Sequence, residues 1–146
     1  MPVRVKVKLK SKTSEVVTTG LLNTGFTSLE LDILIPKGLA ERMNFWPPPE
    51  GAILETLDTA GGEVLSYIIP ESIELTVLAK NKASKNVRCN VIVSTHEKEV
   101  LLSDALIEEL NIEIISPKTG IRRFKGGAEE ESVKPEYCKF DIFTSK

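Results

Sequence analysis

Little in this chain suits metal, redox or nucleophilic-triad chemistry. Its 146 residues include two cysteines, Cys89 and Cys138, and one histidine, His96. The cysteines lack the close spacing of metal ligands, and one histidine cannot complete a zinc set with them. No metal is expected, nor is a cofactor. No serine or cysteine stands in a motif paired with histidine, which argues against a nucleophilic triad. In a reducing compartment both thiols are expected to be free. Charge of one sign is also lacking: the net charge is −2, which gives no overall attraction to nucleic acid or to an anionic membrane. Apolar runs reach about five residues, against about 20 for a bilayer-spanning helix. The N-terminus alternates rather than presenting the apolar region of a secretory signal, so the expected location is cytoplasmic.

What remains is a globular composition, 41% hydrophobic and 27% charged, of a length that suits one domain. Residues 3–10 alternate strictly, with Val3, Val5, Val7 and Leu9 on one face and Arg4, Lys6, Lys8 and Lys10 on the other. The basic face reads as a solvated surface that discourages edge pairing, since no aromatic residues are interleaved for base stacking. A nucleic-acid surface on that face is the weaker reading. Further strands are expected at 15–22, 28–35, 52–59, 64–69, 73–79, 87–93 and 100–102, with a final hairpin over 112–115 and 121–124. Pro36 suits the start of a short helix over 37–43, and Ser103 or Asp104 can cap a second from Ala105 to about Leu110. The three prolines 47–49 require irregular chain. Many short strands with one or two short helices predict a small closed or partly closed β-barrel. Gly126-Gly127 and the acidic residues after them mark a composition shift and a joint. Beyond it, Tyr137, Phe140, Ile142 and Phe143 suit an extra strand or a docking segment.

Two segments resemble the retropepsin-like aspartic proteases, and the resemblance covers residues 3–124. The first is Leu21-Leu22-Asn23-Thr24-Gly25-Phe26-Thr27-Ser28, where the family has two hydrophobic residues, Asp-Thr/Ser-Gly, and then Thr or Ser. Phe26 fits a prokaryotic branch with Asp-Thr-Gly-Phe. The second is Val100-Leu101-Leu102-Ser103-Asp104, similar to the family's hydrophobic-hydrophobic-Gly segment before a short helix. Between them lies Ala60-Gly61-Gly62, where the family keeps the tip of its substrate-covering flap.

The resemblance implies a mostly β fold, a retropepsin-like closed barrel with a flap hairpin and one or two short helices. It implies a protease domain over 1–125, with 126–146 as a C-terminal tail. It also implies a homodimer, because a chain of this size supplies one such motif and the site needs two. In that site two close carboxylates share a proton, one serving as base toward water and the other as acid toward the scissile carbonyl. Thr24 would tie the two loops together. Gly25 would allow the tight turn and donate to the active side chain. Ala60, Gly61 and Gly62 would contact a peptide or protein substrate.

Asn23 departs from this pattern. An amide is neutral and is no base near neutral pH, so little or no hydrolysis is expected from the chain as written. Either an isosteric inactivating change or natural loss of catalysis accounts for it. The alternative function is a non-catalytic dimeric peptide-binding module. Ser103 stands where the family usually has glycine, and Asp104 where it often has arginine. Asp58, in Leu57-Asp58-Thr59-Ala60-Gly61, echoes the motif but has Ala60 before the glycine, and reads better as a residue of the flap hairpin. His96 reads as solvated in a charged loop, and Trp46 as a packing plug.

Overall fold

The computed structural model describes residues 2–59, 62–80 and 82–134. Among the described residues, ten strands and two helices follow one another. The first strands are β1 (Arg4–Lys10), β2 (Glu15–Leu22) and β3 (Asp32–Pro36), followed by helix α1 (Lys37–Arg42). Then come β4 (Ile53–Thr59), β5 (Gly62–Ala79), β6 (Lys82–Ala83), β7 (Val87–Ser94) and β8 (Val100–Leu102). Helix α2 (Asp104–Glu109) and the hairpin β9 (Ile112–Ser116) and β10 (Ile121–Phe124) complete the order.

Six strands close into a barrel in the order β1-β2-β8-β3-β7-β5, with β5 pairing back onto β1. Closure leaves those strands without a free edge. Period-two alternation fills the interior with Val5, Val7 and Leu9 from β1 and Val3 just before it, Ile33 and Ile35 from β3, and Leu75 and Val77 from β5. Val91, Val93, Val100 and Leu102 complete that core, and α1 and α2 plug it with Leu39, Ala40, Leu106 and Ile107. The mostly β, closed-barrel expectation with two short helices is met.

Several boundaries differ from those the sequence predicts. The strand expected from Ser28 begins at Asp32, because Ser28 Oγ donates to Glu30 O and Ser28 N–H donates to Asp104 Oδ1, bonds that replace ladder pairing. The strands expected at 64–69 and 73–79 are one 18-residue strand, β5. Its register slips where Ile69 faces Val91 and Ile73 faces Cys89, four steps on β5 against two on β7. Pro70, which has no N–H, sits in this bulge, and Glu71 takes a left-handed φ of 46°. Asn90 supports it: Oδ1 accepts Glu71 N–H at 2.9 Å, while Nδ2 donates to Asp32 Oδ1 at 2.9 Å.

The glycine-rich joint turns back onto the barrel. Arg122 and Glu130 exchange both backbone hydrogen bonds, and Val133 N–H donates to Arg4 O. The tail residues Tyr137, Cys138, Phe140, Ile142 and Phe143 lie outside the described residues. Trp46 is half-buried against the core, edge-on to Tyr67 at 5.9 Å with the Lys37 ammonium over its face, which is a packing role. No helix among the described residues is long and apolar enough to cross a membrane.

Candidate functional site

The Asn23 loop is made by an unusual meeting of strands. β2 and β8 run parallel although they lie far apart in the chain, and their register places Leu21 beside Leu101 and Leu22 beside Leu102.

 Asn23 extends that ladder by one rung, its N–H donating to Leu102 O at 3.1 Å. The chain then turns: Asn23 O accepts Phe26 N–H at 3.0 Å, and Asn23 Oδ1 accepts Gly25 N–H at 3.1 Å. A side chain at Gly25 would begin 3.3 Å from that oxygen, so glycine keeps the turn tight. Beneath the loop, Gly20 on β2 leaves room for Leu102, whose Cδ1 would lie 2.5 Å from an added Cβ.

The second segment supports the loop from the side. Ser103 is fully buried and caps α2, its Oγ accepting Leu106 N–H at 3.3 Å. Asp104 is the first helical residue, and it bonds to the loop at Phe26 and Ser28. The structure therefore brings Asn23, Thr24 and Gly25 together with Leu102 and Asp104. Asn23 is half-buried, while Thr24, Gly25 and Thr27 are exposed and Leu29 is completely so.

Of the three glycine-loop positions on the hairpin, Ala60 and Gly61 lie outside the described residues. Gly62 opens β5 with a left-handed φ of 111°, in register with Thr59. Asp58 belongs to β4, opposite Glu63, so it is a strand residue of this hairpin and not part of a strand-to-turn corner like that at Asn23. β4 pairs with β5 at the end of the strand order, and Ile53, Leu54 and Leu65 on this two-stranded arm are exposed.

The loop and the arm share a surface that the sequence reading did not foresee. Leu34, Ile92 and Leu101 are buried in a second apolar cluster, outside the barrel core, with Leu21, Phe26 and Ile68 packed against it. Leu21 and Phe26 flank Asn23, while Ile68 is at the root of the arm. The signal in the sequence was faint: Val91-Ile92-Val93 is apolar without alternation, as expected where a strand is covered on both faces.

Among the described residues, no group of three or more histidine, cysteine, aspartate or glutamate side chains converges to hold a metal. His96 is exposed. Cys89 faces the core as a free thiol, and burial, reinforced by Asp32, pushes it up to about 12, which makes it a poor nucleophile. Cys138 lies outside the described residues. On the basic face of β1, Arg4 is held by Glu99 through two hydrogen bonds, and Lys10 is in register with both Glu15 and Glu74. A groove of about 560 Å³ sits at the other end of β1, lined in part by Lys10, Thr13, Asn44, Phe45 and Glu71.

No protein-family model and no curated protein matches this chain.

Chemically, the loop offers an amide where a carboxylate would be needed for proton abstraction. The Asn23 side chain can donate and accept hydrogen bonds but cannot take a proton from water near neutral pH.

Proposed function

We propose that this chain is one subunit of a homodimeric aspartic-endopeptidase scaffold of the retropepsin type, weakened or silenced by Asn23. The observation that carries the reading is the Asn23-Thr24-Gly25 turn anchored on Leu102 of the parallel strand pair. The turn is exposed at Thr24 and Gly25, as a loop that must meet a second copy across a two-fold axis would be. The neighbouring arm, rooted at Ile68 in the apolar cluster next to Phe26, suits a flap that closes over an extended peptide.

In a dimer of this chain the facing groups are two amides, so no general base is present. The test is Asn23→Asp, assayed on a broad peptide library from acid to neutral pH. The reverted protein is expected to cleave at least about 100-fold faster than the Asn23 form, the lower end of typical acid–base contributions. A folded, dimeric N23D protein that cleaves nothing would sink the peptidase reading.

The second reading is a dimeric module that binds peptides without cutting them. It is favoured by the terminal position of β4, which leaves an edge to which an extended peptide can add as a strand. Calorimetry on the unaltered protein with extended apolar peptides should then give measurable binding. Absence of heat with every peptide would count against it.

A further inference from the structure

The Asn23 loop is gripped at both ends by two residues of one short segment, Leu102 and Asp104. At its start, Leu102 O accepts the Asn23 N–H at 3.1 Å. At its far side, the Asp104 N–H donates to Phe26 O at 2.9 Å, and Asp104 Oδ1 accepts the Ser28 N–H at 3.0 Å, across 76 positions of sequence. Ser103, between them, faces inward and caps α2 through Leu106. The cap is therefore supplied by Ser103, and the Asp104 carboxylate divides its bonds between the loop and the adjacent Ala105 N–H at 2.7 Å. A carboxylate acceptor makes a stronger bond to an amide than a neutral one.

We infer that Asp104 is a positioning residue: its backbone N–H holds Phe26 and its Oδ1 holds Ser28, so that Asn23, Thr24 and Gly25 keep one orientation. A loop pinned only at Asn23 would pivot about that single bond. Pinned also at Phe26 and Ser28, it presents a fixed surface to a peptide or to a partner loop. What the loop faces rests on the function proposed above, whereas the clamp is measurable without it.

Amide exchange followed residue by residue in NMR separates the clamp from a helix-capping role. Asp104→Ala should speed exchange at Ser28 by on the order of tenfold, the loss of one charge-assisted bond, while Leu106 and Ile107 change little. Asp104→Asn keeps an acceptor oxygen and should restore most of the protection. Ser103→Ala should do the reverse, loosening Leu106 and sparing Ser28. Unchanged exchange at Ser28 in D104A overturns the inference, as does D104N behaving like D104A or D104A loosening helix and loop alike.

The functional arm uses the N23D background. There D104A should lower kcat by about tenfold or more with KM nearly constant, as misplacement of a reacting group does, and D104N should recover most of it. Cleavage by N23D that is indifferent to D104A overturns the positioning role. If N23D cleaves nothing but Ser28 loosens as expected, the peptidase reading falls and the clamp stands.

Discussion

At the scale of single residues, the proposed function turns on one side-chain group. Asn23 keeps the shape of aspartate, and its Oδ1 still accepts the Gly25 N–H, so the loop geometry does not depend on charge. That is why N23D is expected to fold as the parent does while changing what the loop can do. Cys89 gives a second expectation at this scale. Its folded value near 12 lies above the ordinary thiol value of 9.0, so the unfolded chain gives up its proton first as pH rises. The corresponding stability is intact below about pH 9 and is lost progressively toward pH 12. Urea midpoints measured for the parent and for Cys89→Ala should therefore converge as pH climbs through that window. A gap that is constant with pH would show that the thiol does not titrate differently in the two states. Alkylation at Cys89, located by peptide mapping, should be far slower in the native protein than in urea.

At the scale of elements, the parallel contact of β2 and β8 decides where the loop sits. Gly20 permits that contact by leaving space for Leu102, a fully buried side chain. Gly20→Ala forces Leu102 to move within a packed core and should cost about 1–3 kcal/mol in chemical denaturation. Combining it with Leu102→Ala should give a total well below the sum of the two single changes, because both act on one contact. Full additivity would place the Gly20 effect elsewhere. The arm formed by β4 and β5 behaves differently. Ile53, Leu54 and Leu65 are exposed on it, so these side chains add little to the core.

At the scale of the whole molecule, the homodimer proposed above has exposed apolar residues available to cover. Leu29 beside the loop and Ile53, Leu54 and Leu65 on the arm are left uncovered by the barrel. Light scattering at micromolar concentration should give twice the chain mass of 16.1 kDa. A strict monomer could not assemble a site from two loops. Leu29 has no share in the core, so Leu29→Ser should weaken association while leaving monomer stability within about 0.5 kcal/mol. Equal loss of both would mean that Leu29 serves the fold and not an interface.

Much of this architecture was legible in the residues. The alternation of Val3, Val5, Val7 and Leu9 specifies a one-sided strand, and Pro36 and Ser103 mark the two helix starts. The turn at Asn23-Thr24-Gly25 was legible too, because a short amide side chain followed by glycine carries its own hydrogen bonds. These are local preferences, and a sequence states them directly. The joining of β5 into one bulged strand was not legible, since its continuity depends on Asn90 of β7 satisfying the Glu71 amide. Nor was the second apolar cluster, which gathers Leu21, Leu34, Ile68, Ile92 and Leu101 from five strands. Most decisively, Asp104 looked only like a candidate helix cap and a change of charge. Its hold on Ser28 exists because barrel closure sets β8 between β2 and β3, and closure is a property of the strands together. The sequence by itself determined the kinds of local structure and the neutral group at the loop; the tertiary structure alone decided which distant residues hold that loop in place, because contacts across the barrel have no periodicity to betray them.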